Sequence, residues 1–441
     1  MRVQRDSRRG EGLKPRILFI GPPSSTHTHS WINLLKGASF DVRLFGCGEA
    51  YPPHAWDVFT YLTTPHLPRG LDRTTRVALY RTPEEKARTP RLLVRRAIRK
   101  ATRPFGNSVS DASPRAHSQG RTKAASPEAW LAEVVRSWRP DIIHTLGLEP
   151  AGLFYSRTRG AYPIQGIGRW VLQLRGGSDL ELRRTDSNAI PEIHAALAAC
   201  DQIVCDNLVN HRYVMELGAR PEQLSELNPV PGTGGIDVDS IGALSKGATS
   251  ERRRLILWPK AYERMWSKST PVLEAIRLAW SKVRPAEIYM VPIDEETRLR
   301  YNQLPAEIRA SCSVSTGIPR EEMLALMAEA RVMLAPSLVD GVPNCLYEAM
   351  AAGAFPVVSP LETIAAVVKD EENVLFARNL YPEKIAAALV RAMNDDALVD
   401  RAALNNASLV RRVADRNAIR DRVIAYYWRL LGLSGPSGGE T

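Results

Sequence analysis

The chain has no long apolar run. Nothing in it approaches the ~20 consecutive apolar residues needed to cross a bilayer, so a membrane-spanning class is not expected. Its start, MRVQRDSRRGEGLKPR, is basic but lacks an apolar core segment and does not read as a secretory signal. Cysteine is scarce and odd in number: Cys47, Cys200, Cys205, Cys312 and Cys345 are scattered along 441 residues. Neither a disulfide framework nor a zinc site has that spacing, and the usage suits a reducing cytoplasm. Aromatic residues are few, at 7%. They do not interleave with the basic stretches and no recognised nucleic-acid motif occurs, so nucleic acid is not an expected partner.

What is present is a soluble composition with a basic balance. Hydrophobic residues make up 44%, and the length allows two domains of ordinary size. Formal net charge is +11, which favours anionic partners. The excess is local: residues 84–124 are rich in Lys and Arg, and within them RTPRLLVRRAIRKATR reads as a short basic helix. Attachment to an anionic membrane surface is one reading of this insertion. A solvated, disordered insertion is the other, and the Ser, Pro and Gly that follow support it.

Local patterns alternate between strand and helix. PRILFIGPP is an apolar strand ending at Gly21, followed by a Ser/Thr-rich loop, a helix around Trp31 to Leu35 and a strand at Asp41 to Phe45. This is the βαβ opening of a doubly wound domain. Gly21 is where backbone could approach a phosphate. His27 and His29 fall in the loop. PDIIHTLG is expected to be a strand with His144 at its carboxyl edge, and WVLQLRGGSDL a strand and Gly-rich turn holding Arg175.

The densest signal is RVMLAPSLVDGVPNCLYEAMAAGAFPVV. It predicts a strand at Val332 to Leu334, a turn, a helix from Pro343 to Ala352, a Gly353 stop and a strand at Phe355 to Val358. Asp340 lies in the loop at the strand's carboxyl end and Glu348 in the helix, eight residues apart. Open α/β sheets bind ligands in that crevice. Pro343 suits the first helical position, and the free amides of Asn344 and Cys345 would attract anions or sugar hydroxyls. An ordinary strand–helix–strand unit with solvent-facing acids is the alternative.

PSLVDGVPNCLYEAMAAGAFPVVS resembles the nucleotide-sugar site of retaining GT-B glycosyltransferases of family 4. That family carries proline–serine, acid–Gly, Glu–Ala–Met–Ala–x–Gly and Pro–Val–Val in this order, with two glutamates. Here Asp340 stands for the first and Glu348 for the second. PDIIH, the GIDVD segment and the WPKAYERMWSK loop are also similar to family segments.

The resemblance implies an α/β GT-B fold, two Rossmann-like doubly wound domains facing a cleft. It places an N-terminal acceptor domain at 15–240, a donor domain at 241–412 and a final helix at 413–432, with tails at 1–14 and 433–441. It implies transfer of a sugar from a nucleoside diphosphate-sugar, with retention and with no metal or cofactor, in cell-surface polysaccharide or glycolipid synthesis. The acceptor would be saccharide or lipid-linked, and the enzyme cytoplasmic or peripheral on the inner membrane face. Asp340, Glu348, Lys260 and Lys268 would carry the chemistry, with Arg264 the other candidate for the second diphosphate cation. Gly21, Arg175, Gly341, Asn344, Cys345, Ser359, Leu361, Glu362 and Thr363 would line the donor, and His29 and His144 the sugar or acceptor. A family histidine is replaced by Arg175 here, so its role is lost, moved to His144, or taken by Arg175. A non-catalytic or epimerase-type GT-B protein is the alternative function.

Overall fold

A computed structural model describes residues 14–54, 56–64, 76–79, 126–176, 179–245 and 247–433. The basic insertion at 84–124, Gly177 and Ser178, and both expected tails apart from residues 14 and 433 lie outside them. Two parallel sheets are present, one of seven strands and one of six. The contacts divide the chain into two compact units: residues 1–25, 40–144 and 150–169, and residues 26–39, 145–149 and 170–441.

The first unit holds β1 (Arg16–Gly21), β2 (Asp41–Gly46), β3 (Phe59–Leu62), β4 (Val77–Leu79) and most of β5 (Ile142–Leu146). β1 runs parallel to β2, β2 to β3 and β3 to β4. Ile17 to Ile20 are fully buried, as their unbroken apolar run requires of a strand covered on both faces. The helix Pro127–Trp138 is capped by Ser126, whose hydroxyl accepts from Ala129 N.

In the second unit the Val171–Leu174 part of β6 (Arg169–Leu174) pairs with β7 (Gln202–Cys205). The six-stranded sheet has the order β10-β9-β8-β11-β12-β13, formed by Cys312–Val314, Glu287–Met290, Leu255–Trp258, Val332–Ala335, Phe355–Val358 and Leu375–Phe376. Alternate residues feed two cores. Ile256 and Trp258 pack with the helix Ser269–Val283 on one face. Leu255, Leu257 and Met333 pack with the helix Asn344–Ala352 on the other. The expected boundary near residue 240 falls between β7 and β8.

Two terminal helices follow, Asp396–Ala414 and Arg416–Leu431. The second packs on residues 30–36 of the same unit. Trp31 Nε1 donates to Tyr427 Oη at 3.2 Å, and Arg416 donates to Ser30 Oγ and Ser30 O. Gly235, at φ +79, lets the chain pass the break between these helices, where a Cβ would collide with the Ala414 carbonyl oxygen.

Three local expectations are corrected. A helix begins at Thr26, so His27 and His29 are helical and not in a loop. The tighter turn Asn33–Leu35 continues it and buries Leu34 and Leu35. His144 lies in the middle of β5, fully buried with its ring 5.5 Å from Phe19, because the strand runs on through Thr145 and Leu146. The acid-bearing helix starts at Asn344, and Pro343 is its extended cap residue at ψ 142. The Pro343 carbonyl accepts from Leu346 N at 3.0 Å.

Candidate active site

The site is built around the carboxyl end of β11. The strand ends at Ala335, residues 336–343 form a loop, and the helix Asn344–Ala352 opens from it and stops at Gly353, φ +80. Glu348 is one turn inside this helix and is 5% exposed. Its carboxylate is paired with Arg320, the first residue of the helix Arg320–Glu329. No motif announced Arg320. The pairing joins residues 28 apart, which local periodicity does not reach.

Asp340 in the loop pairs with Lys260, which follows β8. Both side chains are mostly buried, at 22% and 15% exposure. Burial acts to lower the Lys260 pKa, but the charge of Asp340 leads the effects that outweigh it, and the net shift is upward. The Asp340 carbonyl accepts from Thr363 Oγ1 at 2.7 Å, so Thr363 braces the same loop. Cys345 lies beside this pair, its thiol pushed up to about 11 by burial first. The amides of Asn344 and Cys345 begin the helix, where no preceding turn offers them a carbonyl. The Asn344 side chain accepts from Thr233 Oγ1 at 3.0 Å.

Arg264 and Lys268 reach other partners. Arg264 pairs with Asp294 at 2.8 Å and Lys268 with Glu263 at 2.8 Å. The Trp266 carbonyl between them accepts from Leu338 N at 2.8 Å, which ties this loop to the Asp340 loop. The Ser359 hydroxyl is buried, accepting from Ser337 N and donating to Ala377 O. Leu361 caps the short helix Glu362–Ala365, and Glu362 pairs with Arg212.

Arg175 follows β6. Its Nε donates to Gln173 Oε1 at 3.1 Å, while Nη2 is buried without a partner among the described residues. Burial lowers its pKa to about 10, against the pull of Asp179, Asp206 and Tyr427. Asp179 accepts from the amides of Leu148, Glu149 and Arg175. Asp206 accepts from Gly176 N and from the Asn207 and Asn210 side chains. Burial raises both carboxyls to about 6 against those hydrogen bonds. Asp206 was legible in principle. It stands just past the carboxyl end of β7, as Asp340 stands past β11.

Thus Lys260, Asp340, Gly341, Asn344, Cys345 and Thr363 come together, with Arg175 joined to them through Gly176, which lies against Gly341. His27 is held low by burial first and then by Arg175, while Asp340 opposes, so it shares this electrostatic neighbourhood. His29 is on the same helix as His27, and Gly21 and His144 belong to the other compact unit.

Residues 264–395 match the family model described as Glycosyl transferases group 1. The chain is a glycosyltransferase with a group 1 domain on a GT-B fold. Sucrose-phosphate synthase from Thermosynechococcus elongatus superposes with a TM-score of 0.63 at 14% identity, covering 96% of this chain and 100% of that one. The Anabaena protein Alr3699/HepE in complex with UDP-glucose gives 0.63 at 12% identity, covering 94% and 99%. A UDP-N-acetylglucosamine 2-epimerase gives 0.56 at 10% identity, covering 97% and 100%. These likenesses describe the fold of the transferase. No curated protein sequence matches the chain. Among the described residues, no helix of the transferase is long and apolar enough to cross a membrane.

Proposed function

We propose that the chain moves a sugar from a nucleoside diphosphate-sugar to an acceptor hydroxyl with retention of configuration, in cell-surface polysaccharide or glycolipid assembly. The observation that carries this reading is the placement of Asp340 and Glu348 on one strand-end loop and its helix, each held by a cation, Lys260 and Arg320. Glu348 binds the ribose hydroxyls and Arg320 yields to them. Asp340 and the amides of Asn344 and Cys345 hold the sugar. Lys260, with Lys268 or Arg264, meets the charge that grows on the leaving diphosphate as the sugar bond breaks. Fixed cations suit that task because they need no reorganisation at the moment of reaction. In this reading no metal or cofactor is required, and no carboxylate serves as a glycosidase-type nucleophile.

The acceptor is saccharide or lipid-linked, and the basic insertion at 84–124 carries the enzyme to the anionic inner face of a membrane. The likeness to UDP-GlcNAc 2-epimerase keeps an epimerase or a non-catalytic binding protein as the second reading; the group 1 domain favours transfer. Thermal stabilisation of wild type and Glu348→Ala across UDP, GDP, ADP and CDP tests the site. A nucleotide at 100 times its dissociation constant adds about 2.7 kcal/mol. A shift with one nucleotide, lost in the variant, supports the reading and names the base. A shift retained in Glu348→Ala would overturn the site assignment.

A further inference from the structure

Two guanidiniums lie over one buried phenol ring beside the candidate site. Arg184 Cζ is 3.6 Å from the ring centroid of Tyr213, and Arg212 Cζ is 5.1 Å from it. Tyr213 is 7% exposed and sits on the helix Leu208–Glu216. A guanidinium held over a ring face keeps its planar fork of N–H groups, two of which can meet a tetrahedral oxyanion.

The two arginines differ in what they hold. Arg212 pairs with Glu362, with Nη2 to Oε2 at 2.8 Å, and with Glu216 at 3.5 Å. Arg184 donates no side-chain hydrogen bond among the described residues, and its Nε is buried without a partner. The preceding Arg183 forms ion pairs with Glu149 and Asp186, and Arg184 forms none among the described residues. An arginine that is pinned by stacking and short of acceptors is a poor structural element, because each buried unmet donor costs stability. It is a suitable ligand element.

The position fits an acceptor. Arg212 pairs with Glu362, and the next residue, Thr363, donates to the Asp340 carbonyl at 2.7 Å, so the arginine pair over Tyr213 lies beside the Asp340 loop. Lys260 and Arg320 are committed to Asp340 and Glu348, so the arginine pair is a second, separate cationic locus. We propose that Arg184 and Arg212 bind a phosphate group carried by the acceptor. This rests on the transferase reading above and adds to it the acceptor's charge. Arg184 takes the phosphate through its free edge, and Arg212 shares it by releasing Glu362.

The test uses the full chain and reads thermal stabilisation by inorganic phosphate at constant ionic strength. Wild type and Arg277→Ala, which removes an exposed cation on the helix Ser269–Val283, should respond alike. Arg184→Gln should weaken the apparent affinity about tenfold or more, the loss of charge-assisted hydrogen bonds. Arg184→Lys, which keeps the charge and loses the planar fork, should fall between. A phosphate response unchanged in Arg184→Gln, or abolished by Lys260→Ala alone, would overturn the proposal. Binding to phosphatidylcholine vesicles with and without phosphatidic acid separates the sources. A response to soluble phosphate points to a phosphorylated sugar. Phosphatidic acid-dependent binding that Arg184→Gln loses, without a soluble response, points to a lipid phosphate. Vesicle binding retained in Arg184→Gln, with no soluble response, overturns it. The nucleotide shift through Glu348 is read separately, so a failure of the transferase reading is distinguishable from a failure of this one.

Discussion

Gly341 lies so close to Gly176 that a Cβ on Gly341 would come 2.6 Å from the Gly176 Cα. The residue before Gly341 is Asp340 and the residue before Gly176 is Arg175. Gly176 is itself held, its amide by Asp206 and its carbonyl by Asn210. Two backbones in contact thus set the distance between two candidate donor-binding side chains.

Gly341→Ala should therefore separate the Asp340 and Arg175 loops. The obstacle is backbone, which cannot swing away as a side-chain end can. The expected outcome is a folded protein, judged by far-UV circular dichroism, whose nucleotide-dependent stabilisation is weakened about tenfold or more. Gly176→Ala is the informative contrast. Its Cβ would meet only Gly341 N at 4.0 Å, but Gly176 sits at φ +62. It should cost about 1–2 kcal/mol of stability from left-handed strain, with a smaller effect on nucleotide binding. Equal effects on binding would mean that the contact does not set the site.

The strand–helix–strand unit at 332–358 was legible because every local signal agrees: an apolar run, Asp–Gly, a proline before the helix and a glycine after it. Its acids were legible from position alone. Arg320 beside Glu348 was not, because the pairing depends on how one helix packs on the next. The helix at Thr26 was missed because Ser and Thr compete with the helical backbone and read as a loop. Tertiary burial of Thr28, Trp31 and Ile32 decides it. Arg175 was legible as a substitution in a familiar place, but that its Nη2 lacks a partner among the described residues emerges only from the packing of Gln173, Asp179 and Asp206 around it.

Lys260 and Asp340 should behave as one unit. With both side chains largely buried, removing either leaves the other's charge without its partner. Lys260→Ala and Asp340→Ala are each expected to lower stability by about 1–3 kcal/mol. The double variant should lose less than the sum of the two in a denaturant-melting cycle. Because the Lys260 pKa is raised in the fold, the stabilisation is fully present below the unfolded lysine value. It is lost only as pH rises through the higher folded one. The coupling should thus be flat from about pH 6 to 9. Additive losses would deny the pair an energetic role.

Asp206 carries the opposite sign. Its carboxyl is raised to about 6, so the folded chain holds a proton that the unfolded chain has released. Stability attributable to this group falls as pH rises from about 4 to 6 and stays low above that range. In Asp206→Asn the contribution vanishes, while an acceptor for Gly176 N remains. The melting temperature of wild type minus that of Asp206→Asn should be greater at pH 4.5 than at pH 7.5, by an amount on the order of 1–2 kcal/mol in stability. A difference that is flat or reversed would show that the hydrogen bonds from Gly176, Asn207 and Asn210 outweigh burial.

On the proposed function, Lys268 rather than Arg264 is expected to be the second cation for a leaving diphosphate. The Lys268 backbone is fixed from both sides by one side chain: Asn379 Oδ1 accepts from Lys268 N at 3.1 Å, and Asn379 Nδ2 donates to Lys268 O at 3.1 Å. That same Nδ2 donates to Pro336 O at 2.9 Å, just past the end of β11. Lys268 is thereby pinned to the strand end from which the Asp340 loop departs. Arg264 instead reaches Asp294, beyond β9, and its side chain is 53% exposed. The Lys268 side chain is less exposed, at 39%, and a more exposed guanidinium must lose more freedom to reach the same phosphate. Lys268→Ala should thus weaken nucleotide-dependent stabilisation about tenfold, while Arg264→Ala changes it about threefold or less. Asn379→Ala leaves both charges in place and frees the Lys268 backbone. It should mimic Lys268→Ala in nucleotide affinity if position matters as much as charge. A larger loss in Arg264→Ala than in Lys268→Ala would reverse the assignment.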